Sequence, residues 1–201
     1  VSEMVMDASH QALGIAPYLR RLGPVALPPE EAVARPVGLL RSLRGDDPPI
    51  ASWSTTTTPA LVLGRGVGAP SVDPDAARAA GVAVVRSTSG GGPVLWDSGL
   101  VALDVILPPH HPLAPADVVE AYRWLGEAIA AALRALGLPG EEVVAIAAGL
   151  DEWLPGVVSG DVVAAVDRAF GAAGIGLPDS EPTDAERDAI RAVVTEGRTT
   201  G

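Results

Sequence analysis

The chain has 201 residues, 48% of them hydrophobic and 19% charged, long enough for a sizeable core and too apolar for wholesale disorder. Aromatic residues make up 3%, so that core must rest on Ala, Val and Leu. Twenty-five acidic against 14 basic side chains give a net charge of −11, and no basic cluster beyond Arg20-Arg21 offers the positive face a phosphate backbone needs, which argues against nucleic-acid binding. Zero cysteine excludes disulfides, thiolate metal sites and a cysteine nucleophile.

Residues 1–28 are mixed and carry no clear period. From Pro28 to Arg44 the apolar residues Ala32, Val33, Val37, Leu39, Leu40 and Leu43 recur at helical spacing, and Pro36 predicts a break in that helix. Gly45 to Pro49 reads as a turn, and Thr55 to Thr58 with Pro59 as a loop between two short extended pieces. Ala60 to Gly64 is β-rich; Asp73 and Pro74 then supply a cap and a first-turn proline for a helix from Asp75 to Ala80, ended by Gly81. Val82 to Arg86 reads as a buried strand and Ser87 to Gly92 as a loop. Val94 to Trp96 leads through Asp97-Ser98-Gly99 into Leu100 to Leu107, as in a hairpin.

After the proline-rich Pro108 to Pro115, the spacing predicts the longest helix over Ala116 to Leu136. Val118, Tyr122, Leu125, Ile129, Leu133 and Leu136 form its stripe, and Gly137 stops it. Ser159 and Asp161 open a helix through Phe170, and Thr183-Asp184-Ala185-Glu186 is a capping box for a helix to Val194. No apolar run approaches the roughly 18 residues of a membrane helix. The lack of cysteine and of a sorting pattern makes the cytoplasm the expected compartment.

The densest chemical feature is Arg86-Ser87-Thr88-Ser89-Gly90-Gly91-Gly92. Glycines let a backbone approach an anion closely, and the guanidinium and hydroxyls complement phosphate or carboxylate. The same residues also make an ordinary flexible turn, and the loop matches neither a dinucleotide fingerprint nor a P-loop. Gly64-Arg65-Gly66-Val67-Gly68 ends the preceding strand and is positioned to face the same crevice; Arg65 is either a solvated rim charge or an anion clamp. His110-His111 reads as a pair of loop histidines, since adjacent side chains in extended backbone point apart. Asp97 and Asp104 are both acid/base candidates, but Asp97-Ser98-Gly99 is also an ideal turn and Asp104 falls on the outward alternation of a strand, so only Asp97 gains from context. Glu141-Glu142, Asp151-Glu152 and the acidic C-terminal helix read as solubility features.

The segments PALVLGRG at 59–66 and GVAVVRSTSGGGPVLWDSGLVALDVILP at 81–108 together resemble the lipoate–protein ligase and octanoyltransferase family, which shares its catalytic fold with biotin–protein ligase. The resemblance covers about residues 28–137, with GLDEWLP at 149–155 looser. It implies an α/β fold in which a mixed, largely antiparallel sheet is flanked by helices. A single ligase-like catalytic domain is then expected over residues 1–201, with a helical C-terminal part at 159–195. It implies ATP, with Mg in an active enzyme, and lipoate or octanoate as substrates. The acyl group passes through an acyl-adenylate to a lysine of an acceptor lipoyl domain from a 2-oxoacid dehydrogenase or the glycine cleavage system.

Carried over by position, Arg65 lies at the pocket rim, Arg86 and Ser89, Gly90, Gly91 and Gly92 line the acyl and phosphate path, and Asp97 matches the family's acidic turn. Three departures stand out. Ser87 replaces the second arginine of the family pair, and Pro93 removes a backbone donor after the glycines. The family's essential lysine has no counterpart, because all 14 basic residues are arginine. The chain is also short near residue 140, where the family carries the lysine-bearing strands. The alternative expectation is therefore a catalytically inactive relative that binds an acyl ligand, an acyl-adenylate or an acceptor domain, and a third is a remnant whose open sheet edge a partner covers.

Overall fold

The computed structural model describes residues 18–66, 72–138 and 156–199. In chain order they form β1 (Arg20–Leu27), α1 (Pro29–Ser42), β2 (Ile50–Thr56), β3 (Ala60–Leu63), α2 (Pro74–Ala79), β4 (Ala83–Arg86), β5 (Val94–Trp96), β6 (Ala102–Ile106), α3 (Val118–Ala135), α4 (Ser159–Ala172), β7 (Asp179–Ser180) and α5 (Asp184–Thr199). The expectations placed on the shortened segment after Leu138, on Glu141-Glu142 and on residues 149–155 lie outside the described residues.

Local capping chemistry fixes three helix starts. The Asp73 carboxylate accepts from the N–H groups of Asp75 and Ala76, and that of Asp117 from Val119 and Glu120, each pair being orphan donors of a first turn. At α5 the capping box is reciprocal: Thr183 N–H donates to Glu186 Oε2 at 2.6 Å, and Glu186 N–H to Thr183 Oγ1 at 3.2 Å.

The chain divides into two compact units. One comprises residues up to Arg21 together with Pro109–Asp179. Here α3 and α4 bring the Trp124 and Phe170 rings to 5.8 Å, and Trp124 Nε1 donates to the Leu113 carbonyl. Arg21 bridges Asp167 and Asp179 at 2.8 and 2.9 Å. Of the apolar stripe expected on α3 only Leu133 is buried, with Leu125, Ile129 and Leu136 half-buried, and Ala128 and Ala132 beside it complete the covered face. Val118 and Tyr122 are exposed, since the described residues that close over α3, such as Leu138 and Val157, gather around its C-terminal end.

The other unit comprises Leu22–Pro108 and the chain from Ser180 onward. One sheet runs β6-β2-β1, with the two-residue β7 beside the start of β1. Strand β2 pairs antiparallel with β6, from Ile50↔Ile106 to Ser54↔Ala102. Ile50 and Ile106 therefore share one face, where they cluster with Leu22, Leu39, Leu43 and Ile190. Helices α1 and α5 pack at Gly38: a Cβ there would sit 2.5 Å from Ile190 Cα, so only glycine permits this approach. The second sheet runs β4-β3-β5, with β3 and β4 parallel across the α2 crossover and β5 antiparallel. The α/β class, with mixed and partly antiparallel sheets flanked by helices, agrees with expectation.

Three local expectations fail for physical reasons. Helix α1 runs unbroken through Pro36, because burial of Ala32, Ala34, Gly38 and Leu39 outweighs one missing backbone bond. Strand β1 is disguised by Gly23-Pro24 at its centre, where Gly23 holds φ +87 and a Cβ would meet the Trp53 carbonyl at 2.4 Å. Strands β5 and β6 form no hairpin. β6 makes five residue pairs with the longer β2, while β5 joins β3 in the other sheet.

Candidate functional site

The site grows from the shared end of two parallel strands. The register Leu63↔Arg86 brings Gly64-Arg65 beside the start of the Ser/Gly loop. Ser87 N–H donates to the Leu63 carbonyl and Arg65 N–H to the Ser89 carbonyl, both at 2.8 Å. A Cβ on Gly64 would stand 2.2 Å from the Gly91 carbonyl oxygen, and Gly91 itself has φ +108. The two glycine segments are therefore interlocked, and the glycines are what permit it. Within the loop the Ser87 and Ser89 hydroxyls are 2.7 Å apart, and Ser89 N–H donates to Ser87 Oγ at 3.1 Å.

This junction borders a cavity of about 670 Å³. Arg65, Arg86, Ser87 and Thr88 form one polar side and the carboxylates of Glu30 and Glu196 also line it, while Val33 and Val37 of α1, Leu63 and Val85 of the sheet, and Val193 and Val194 of α5 supply apolar walls. Arg41 lines the cavity as well, paired with Glu196 at 2.8 Å. Cationic groups beside an aliphatic wall suit an amphiphilic anion.

A smaller cavity of about 270 Å³ also has Val33 and Ser87 in its lining, together with Ser89, Trp96 and Asp104. Asp104 does not point outward as the alternation suggested. It pairs across the ladder with Ser52, whose hydroxyl accepts from Arg35 Nε at 2.8 Å, and so lies on the face covered by α1. Burial pushes the Asp104 carboxyl up to about 6 against the pull of Arg35. Arg35 is 4% exposed; burial lowers its pKa, and Glu31, Asp104, Glu186 and Glu181 oppose that effect. Ser54 Oγ, Thr56 Oγ1 and Trp96 Nε1 are buried with no hydrogen-bond partner among the described residues.

Of the residues singled out from sequence, Arg65, Arg86, Ser89, Gly90 and Gly91 gather at one junction, and the exposed Gly92 closes the loop. Asp97 is exposed, accepts the Gly99 N–H at 2.9 Å to close its turn, and lines neither cavity. His111 Nδ1 accepts from Leu113 N–H, and no group of three metal-ligating side chains exists among the described residues. No described helix is long and apolar enough to cross a membrane. Arg35 and Ser52, which join Asp104 in one polar band, were not singled out from the sequence. The signal for that band is the hydroxyl at every second residue of β2, Ser52, Ser54 and Thr56, interleaved with Ala51 and Trp53.

Comparison with known proteins converges on one group. Residues 28–174 match the lipoyl protein ligase A/B catalytic domain, extending past the segment that carries the sequence resemblance. Octanoyltransferase LipM of an Exiguobacterium species is 34% identical over 113 residues, which are 56% of this chain and 39% of that protein. The match thus spans about two fifths of the curated relative. A lipoate-protein ligase A structure bound with ATP superposes with a TM-score of 0.74 at 19% identity, covering 92% of this chain and 97% of the other. A bipartite lipoate protein ligase from Thermoplasma acidophilum, described with its E2 lipoyl domain, gives 0.73 at 17% identity, covering 89% and 92%. At these identities the structural likeness is one of fold.

Proposed function

The chain belongs to the lipoyl protein ligase A/B catalytic-domain family, and from that premise we propose that it binds a medium-chain acyl group, lipoate or octanoate, activated as its adenylate, for attachment to a lysine of an acceptor lipoyl domain. The single observation behind this reading is the junction of Gly64-Arg65 with the Ser89–Gly91 loop at the edge of a cavity that is arginine-lined on one side and aliphatic on the other. Arg65 and Arg86 take the acyl-phosphate anion, and the valines of α1 and α5 take the acyl chain. Gly90 and Gly92 keep the loop backbone open to the phosphate, and Asp97 fixes the turn that returns the chain to β6. ATP, with Mg, supplies the activation.

The composition limits the chemistry. Without cysteine there is no thioester acyl-enzyme, and without lysine the positive charge that stabilises the reacting acyl phosphate falls to Arg65 or Arg86. Loss of a charge-assisted contact is worth roughly 1.5–3 kcal/mol. Calorimetric titration with a non-hydrolysable lipoyl-adenylate analogue should therefore give micromolar or tighter binding, weakened at least tenfold in Arg86→Ala. No heat of binding refutes the reading.

The absence of lysine favours a second reading, an inactive relative that keeps the pocket without turnover. Incubation with ATP, Mg, lipoate and an acceptor domain separates the two. An acceptor gaining one lipoyl mass identifies the enzyme, and analogue binding with an unmodified acceptor identifies the binding module.

A further inference from the structure

Val33 and Ser87 line both cavities, so a chain whose acyl phosphate lies among the arginines of the larger one extends past these two residues into the smaller. At about 270 Å³ the smaller space suits the end of a chain rather than a nucleotide. It is lined from both sheets and from α1: Val62 by β3, Trp96 by β5, Asp104 by β6 and Ala32 by the helix. An octanoyl or lipoyl tail asks for walls with no hydrogen-bonding demand, and two of these walls have one. Trp96 Nε1 is buried with no partner among the described residues, and an indole N–H can only donate. Asp104 is attracted by Arg35 but accepts a hydrogen bond from no described side chain; the guanidinium gives its Nε–H to Ser52 instead. A carboxyl that titrates at about 6 is ionised at neutral pH and can then only accept. The indole thus needs an acceptor from the ligand and the carboxylate a donor, and a hydrocarbon tail leaves both desolvated and unpaired.

We propose that Trp96 and Asp104 are specificity-determining residues at the far end of the acyl subsite, and that they select an acyl chain tipped with a planar amide or urea group, whose carbonyl accepts from Trp96 Nε1 and whose N–H donates to the Asp104 carboxylate. This inference rests on the acyl-adenylate reading and narrows its substrate from a plain medium-chain acid to a polar-tipped one. Other tips fit the pair less well. An ammonium leaves the indole without an acceptor, and a carboxylate meets Asp104 as a like charge. A hydroxyl presents both functions from one atom, whereas an amide presents them on two, toward two different strands. A site built to hydrogen-bond its substrate discriminates sharply against the analogue lacking the polar group, because its own polar groups are then left unpaired.

The test is calorimetric titration with two non-hydrolysable adenylate analogues of equal chain length. One is acylated with octanoate, the other with heptanedioic acid monoamide, whose amide oxygen and nitrogen stand where octanoate has its last carbon. The wild-type chain is expected to bind the amide-tipped analogue at least tenfold more tightly. Trp96→Phe, which keeps a ring and removes the N–H, and Asp104→Leu should each lower that preference severalfold through loss of amide-tipped binding. Octanoyl binding as tight as amide-tipped binding in the wild type, or a preference unchanged in either variant, overturns the proposal. Where a variant does not fold, the wild-type pair decides. Octanoyl binding without a preference removes only the polar-tip inference and keeps the acyl-adenylate function, whereas no binding of either analogue removes both.

Discussion

Replacing Asp104 with asparagine should make the protein more stable at neutral pH and have little effect in acid. The Asp104 carboxyl is held at about 6 in the folded chain, against about 3.8 for an unperturbed aspartate. Between those values the native state binds more protons than the unfolded one, so stability falls as pH rises through the window. At about 1.4 kcal/mol per pH unit of displacement, the full effect is about 3 kcal/mol, absent below pH 4 and complete above pH 7. Asparagine keeps the shape and cannot ionise. It also removes one of the carboxylates that balance the buried Arg35, which makes about 3 kcal/mol an upper bound. Urea denaturation of both proteins at half-unit steps from pH 4 to 7.5, read by tryptophan fluorescence, gives the difference directly. It should start near zero and grow in favour of Asp104→Asn. A difference that stays flat across this range, or a variant less stable at pH 7, refutes the view of Asp104 as a charge held at a cost.

Further substitutions probe the packing behind the site. Gly64→Ala forces a Cβ against the Gly91 carbonyl at 2.2 Å. It should cost about 1–3 kcal/mol in thermal unfolding and weaken binding of the acyl-adenylate analogue, since the loop must lift; unchanged binding would separate the loop from the ligand. Thr183→Ala removes half of the capping box of α5 and should cost about 1 kcal/mol, measured by chemical denaturation. Thr56→Val replaces a buried hydroxyl that has no partner among the described residues with a methyl group of similar size and should stabilise by roughly 1 kcal/mol; a loss of stability would mean that the hydroxyl has a partner in solution.

Local chemistry was legible in the chain as written. Asp73-Pro74 with Gly81, Gly137 after α3, and the Thr183/Glu186 box each act within one turn of backbone, so the start and stop of α2, the stop of α3 and the start of α5 fall close to where the residues set them. The Gly-Arg and Ser-Gly-Gly-Gly segments were equally visible, because glycine runs and isolated arginines stand out against an Ala- and Val-rich background. Features that depend on a distant partner were not legible. Pro36 stays helical because α5 and the sheet bury its neighbours. β6 leaves β5 for β2, a choice made by pairing length. Asp104 turns inward because its ladder partner, Ser52, lies on the face that α1 covers. Period-2 alternation assigns residues to two faces of a strand but does not say which face is buried, and only the packing of a helix onto one of them turns a surface carboxylate into a desolvated one.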